Sequence, residues 1–157
     1  MKDNAVKLWN CQEKAEFRDN LIADIAKVEQ GMKIALIGVV NPLIAAIRKR
    51  GGTCLPCDLQ MERTHWGDPV EKDMEKVLDS ADGVICTGMT LSNGTFDRVI
   101  ERVLERSIPL TVYAQTGSAV AARFVGAGIT SLVAEPFPFS QFSANATRVF
   151  CYRGQGD

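Results

Sequence analysis

Residues 87–95 read Thr87-Gly88-Met89-Thr90-Leu91-Ser92-Asn93-Gly94-Thr95. Three threonines, one serine and one asparagine within nine residues supply neutral hydrogen-bonding groups. Gly88 and Gly94 let a ligand approach the main chain. A helical apolar pattern follows at once. The loop is therefore expected to aim the free amides of a helix beginning near Asn93 at an anion. A second polar turn, Gln115-Thr116-Gly117-Ser118, stands in the same position between an apolar run and a helix and is expected to face the first. Simple capping by Ser92 or Asn93 is the competing structural reading.

Cys54-Leu55-Pro56-Cys57 is a CxxC pair, and His65, the chain's one histidine, lies eight residues beyond it. Two thiolates and an imidazole suit a soft transition metal or metal complex, so these three residues are the candidate metal ligands. A closed zinc site wants four ligands, and there is no second CxxC. Two structural cysteines are the competing reading. Gly38-Val39-Val40-Asn41-Pro42 is not a GxGxxG turn, but Asp58 falls 20 residues beyond Gly38, the spacing of a ribose-binding carboxylate. Gly38, Asn41 and Asp58 thus join the candidate ligand-binding residues. They also support an alternative, an enzyme using a nucleotide or S-adenosylmethionine in the same cleft. A third reading is a non-catalytic oligomeric subunit. No Ser-His-Asp or Cys-His arrangement can be defended from spacing.

These loops punctuate a repeating pattern. Met32–Gly38, Gly83–Gly88, Leu110–Ala114 and Thr130–Ala134 are nearly continuous apolar runs, and Thr53–Asp58 is a weaker one. Continuous runs suit strands buried on both faces of a parallel sheet. Helical stripes lie between them: Leu43, Ile44 and Ile47; Val70, Met74, Val77 and Leu78 behind an Asp68-Pro69 start; Phe96, Val99, Ile100, Val103 and Leu104; Val120, Phe124 and Val125. The alternation implies an α/β, Rossmann-like, doubly wound domain over residues 32–157 with a mostly parallel sheet. Residues 1–31 are read as an N-terminal helical appendage whose apolar face is Phe17, Leu21, Ile25 and Val28. Thr147–Tyr152 reads as a last strand at an antiparallel edge. Glu135-Pro136-Phe137-Pro138-Phe139 reads as a rigid loop that walls the cleft or covers the sheet edge.

The chain has 157 residues, enough for one domain, and 46% hydrophobic residues exclude general disorder. Its 18 basic and 19 acidic side chains give a net charge of -1, without the basic excess of a nucleic-acid binder. No apolar run approaches a membrane span. Five cysteines, an odd number, and no apolar core in Met1–Asn10 point to a reducing, cytoplasmic setting.

The stretch Ala81–Thr95 closely resembles the signature of the DUF364 family, the "Putative heavy-metal chelation" domain. In that signature an Ala-Asp pair opens a strand, and Thr-Gly-x-Thr-Leu-x-Asn-Gly-Thr then opens a helix. Residues 33–42 also resemble the family's first strand and turn. The resemblance implies a Rossmann-like fold and the handling of a metal or a metal-containing small molecule. Family members often carry an N-terminal domain like that of enolases, for which residues 1–31 are too short. The family tends to have Gly-Pro before its Ser or Thr in the fourth-strand loop, where this chain has Gln115-Thr116-Gly117-Ser118. A second subunit, in a homodimer formed through the apolar helix face or the open sheet edge, is expected to supply the other wall of the cleft. The expected partners are a small anionic ligand or metal complex and a second copy of the chain.

Overall fold

The computed structural model describes residues 10–136 and 147–154. Six strands form one sheet: β1 (Lys33–Ile37), β2 (Thr53–Cys57), β3 (Gly83–Thr87), β4 (Leu110–Ala114), β5 (Ser131–Ala134) and β6 (Phe150–Arg153). Their order is β2-β1-β3-β4-β5-β6. The first five are parallel, and β6 runs antiparallel beside β5. The apolar runs at 33–37, 83–87 and 110–114 are thus adjacent parallel strands, as their composition predicts.

Among the described residues five helices cover the sheet: α1 (Cys11–Ile25), α2 (Asn41–Lys49), α3 (Met74–Ser80), α4 (Phe96–Arg106) and α5 (Ser118–Ala121). α1 and α2 bury Ile22, Ala23, Leu43, Ile44 and Ile47 against Ile34, Leu36 and Ile85 on one face. α3, α4 and α5 bury Val77, Leu78, Phe96, Val99, Val103 and Ala121 against Ala35, Val84, Cys86 and Val112 on the other. The helix α1 is therefore a packed layer of this structure. Each large aliphatic side chain it buries contributes about 1.5–3 kcal/mol. No described helix is long and apolar enough to cross a membrane.

Two boundaries differ from the expected ones for local reasons. The helix expected behind Asp68-Pro69 starts only at Met74, where the Asp73 carboxylate accepts from the Glu75 amide. Residues 69–71 are held extended instead. The Glu71 amide donates to the Pro56 carbonyl and the Asp58 amide donates to the Glu71 carbonyl, so this segment lies along the outer edge of β2. The helix expected from Asn93 starts at Phe96, because residues 88–91 form a short 3-10 turn first. Of the rigid loop Glu135–Phe139, residues 137–139 lie outside the described part.

Candidate functional site

The strand order reverses between β1 and β3, which makes the carboxyl ends of these strands the topological switch point where α/β sheets bind ligands. Gly38 follows β1 with a φ of +82°. A Cβ there would lie 2.4 Å from Thr87 Cγ2, so only glycine lets the loops after β1 and β3 approach this closely. The Tyr113 hydroxyl, reaching across from β4, donates to the Gly38 carbonyl at 2.7 Å. Burial pushes the Tyr113 phenol up, so it stays a donor at neutral pH.

The two polar loops singled out in the sequence meet. A Cβ on Gly88 would lie 2.5 Å from the Thr116 carbonyl, and one on Gly117 would lie 3.0 Å from Leu91 Cδ1. Residues 87–91 and 115–117 are thus packed main chain to main chain. Ser92, Asn93, Gly94, Thr116 and Gly117 remain exposed at the rim. Several hydroxyls have been drawn inward to build the turn. Thr87 Oγ1 accepts from the Met89 amide. Thr90, 1% exposed, donates to the Thr87 carbonyl at 2.8 Å and touches the Cys86 sulfur at 3.9 Å. Asn93 Oδ1 accepts from both the amide and the hydroxyl of Thr95, so it closes a local turn ahead of α4. Gly94 has open space beyond its Cα and needs glycine for its φ of +77° instead. Ser118 is the first residue of α5.

The other candidate residues are brought elsewhere. Asp58 Oδ2 accepts from the Val39 amide, and Oδ1 accepts from the amides of Gln60 and Met61. Partial burial works against the charge, but these three donors and Lys72 hold the carboxyl below its usual range. Both oxygens thus serve the loops after β1 and β2. Asn41 Oδ1 accepts from the His65 amide and ties α2 to the 62–68 loop. His65 is exposed and packs edge-on against Trp66 at 5.7 Å.

The CxxC thiols do not face one another. Three positions apart on a strand, they point to opposite faces of the sheet. Cys57 packs into the α3–α5 side and Cys54 into the α1–α2 side. Burial is the main cause that pushes Cys54 up to about 12 and Cys57 to about 11, so both are protonated at neutral pH. Among the described residues no group of three His, Cys, Asp or Glu can hold a metal ion. The remaining residues add only Asp3 and Asp157 of these types. Among the described residues, then, Cys54, Cys57 and His65 do not form one three-ligand group.

One group escaped the sequence reading. Arg18 of α1 pairs with Asp19 at 2.9 Å and lies 3.5 Å from Glu135, which follows β5. Gln115 donates to the same Glu135 oxygen at 3.3 Å. Asp19 and Glu135 are each 2% exposed, and Asp19 Oδ2 has no hydrogen-bond partner among the described residues. Burial raises the Asp19 pKa. Arg18 opposes that shift, and Glu135 adds to it. The only sequence signal was charge on the inner side of an amphipathic helix, where aliphatic residues are expected.

A six-stranded, mostly parallel doubly wound sheet with polar loops packed at its switch point defines an α/β protein of the Rossmann-like class. The family model "DUF364: Putative heavy-metal chelation" matches residues 21–132, and the chain belongs to this family. A DUF364 family protein of unknown function from Pyrococcus horikoshii has a similar structure, with a TM-score of 0.57 and 18% identity over 77% of this chain and 54% of that one. Cystalysin from Treponema denticola, whose crystal structure contains pyridoxal 5'-phosphate, gives a TM-score of 0.52 and 11% identity over 79% of this chain and 35% of its own. A methionine aminotransferase from Escherichia coli gives 0.51 and 13%, over 80% and 37%. At these identities the likeness concerns the fold. The chain spans about half the length of the Pyrococcus protein and about a third of the other two. No curated protein sequence matches it.

Proposed function

We propose that this protein binds a small anionic ligand, or a metal that arrives inside such a ligand, over the loops at the carboxyl ends of β3 and β4. The observation that carries the reading is the contact between the loops at 87–95 and 115–118, with exposed polar groups at its rim beside the switch point. The family description supports a role in metal handling. In this reading the metal brings donors of its own, and the rim binds the chelator that carries it. Oxygen-rich chelators suit a rim of amides and hydroxyls, because such donors pair with carboxylate oxygens without a buried counter-charge.

Thermal shift with nickel alone, citrate alone and nickel citrate tests this. A ligand that binds only the folded state raises Tm by mass action. Citrate and nickel citrate should raise Tm, and nickel alone should not. Asn93→Ala should reduce the citrate-dependent shift by more than it lowers the unliganded Tm. No shift with any citrate species, or the same shift in Asn93→Ala, would overturn the proposal.

A further inference from the structure

The two edges of the sheet are finished differently. The outer edge of β2 contains Pro56, which has no N–H, and it is occupied by residues 69–71 through the Glu71–Pro56 and Asp58–Glu71 main-chain bonds. That edge is closed. β6 ends the other side, with β5 on one flank and no strand on the other among the described residues. All four of its residues are exposed, including Phe150 at 39% and Tyr152 at 44%. It holds no proline, lysine or bulge of the kind that keeps edge strands from pairing, and its single charge, Arg153, stands at its end.

We propose that β6 pairs antiparallel with β6 of a second copy, which would extend the sheet across a two-fold axis. The unpaired main-chain row specifies a strand as the occupant, since only extended backbone satisfies alternating N–H and C=O groups. Three observations favour a second copy. Antiparallel pairing of one strand with itself is isologous, so the edge is its own complement. It sends the two copies of Arg153 to opposite ends, away from like-charge repulsion. It also sets the Phe150 end of one copy beside Arg153 and Gly154 of the other. Those two residues line a cavity of about 800 Å³ that is also walled by Ile108, Ile129 and the 59%-exposed Leu104. An exposed aromatic ring thus meets an apolar recess twice over, the arrangement that anchors protein interfaces. Of the apolar face of α1, Ile25 and Val28 are already buried on the chain's own sheet, and Phe17 is its one exposed residue.

Sedimentation velocity of the full chain, up to roughly 100 micromolar, where modest interfaces assemble, tests the proposal. The chain should move from its 17.2 kDa mass to twice that value as concentration rises. The double variant Phe150→Lys/Tyr152→Lys changes only exposed side chains and should remain monomeric throughout with an unaltered circular dichroism spectrum. A wild-type chain that stays monomeric, whether because the edge is idle or because it accepts a strand of another protein, overturns the proposal. So does a folded double variant that still dimerises. Should the variant fail to fold, hydrogen exchange of the wild type decides. Amide protection confined to residues 150–153 that grows with concentration supports the pairing, and protection independent of concentration overturns it.

Discussion

Asp58 and Asp19 both lie near the carboxyl ends of the strands, and their surroundings are opposite. Asp58 is half-buried and accepts three main-chain amides, which makes it a clamp between the loops after β1 and β2. Asp19 is buried, has Arg18 on one oxygen and no described hydrogen-bond partner on the other, and shares its neighbourhood with Glu135. One carboxylate is satisfied by the loops and serves stability. The other is held at a cost, because burying a charge with incomplete hydrogen bonding is unfavourable. On the β1–β2 side, then, the polar groups of Asp58 and Asn41 are consumed by the scaffold. On the β4–β5 side, Arg18, Asp19, Gln115 and Glu135 are gathered into one largely buried cluster.

The comparison can be broken at several points. The largest effect is expected from Gly38→Ala, which combines a left-handed φ with a 2.4 Å approach to Thr87. It should cost about 3 kcal/mol, read as a drop in Tm, and should separate the loops that meet there. Asp58→Ala removes the acceptor of three amides and should cost about 2–3 kcal/mol at neutral pH. Because the folded-state pKa of Asp58 is lowered, its contribution is present above its ordinary value of 3.8 and fades as pH falls through the folded value. Urea melts of wild type and variant should therefore converge in acid. Binding of citrate should survive in Asp58→Ala at temperatures where it is folded, and its loss would mean that Asp58 belongs to the ligand site after all.

A smaller effect, about 1 kcal/mol, is expected for Tyr113→Phe, which leaves the Gly38 carbonyl without its donor. The smallest should come from Asp19→Asn, with the opposite pH signature to Asp58. A raised folded-state pKa gives a contribution that is complete below 3.8 and is lost as pH rises through the folded value. The variant should therefore gain on the wild type as pH rises toward neutrality, by about 1 kcal/mol or less given the Arg18 pairing. A variant that loses stability at neutral pH, measured in the same urea melts, would show Asp19 to be a well-satisfied structural ion pair.

Much of the fold was legible because its signals are local. Residues 33–37, 83–87 and 110–114 are apolar without alternation, and strands buried on both faces require that. The candidate site was legible only by position. The loops at 87–95 and 115–118 could be placed at strand ends, yet nothing in their composition told which hydroxyls would turn inward. Thr90 and Asn93 bond to their own loop, because a chain reversing over nine residues leaves its own amides and carbonyls closest to hand. The CxxC pair misled for a related reason. A spacing of three brings side chains together on a helix or turn and drives them apart on a strand, and Cys54–Cys57 lies on β2.

By itself the sequence determined the layers of this protein: which segments are strands, which are helices, and that the strands run parallel. Hydrophobic periodicity and element order carry those facts in every short window. Only the tertiary structure decided which polar groups meet. Val39 and Asp58, or Arg18 and Glu135, are separated by 19 to 117 residues, and they meet only once β1, β2, β5 and α1 have packed. A hydrogen bond between distant residues leaves no periodic trace in the chain, because its geometry is set by the packing of whole elements.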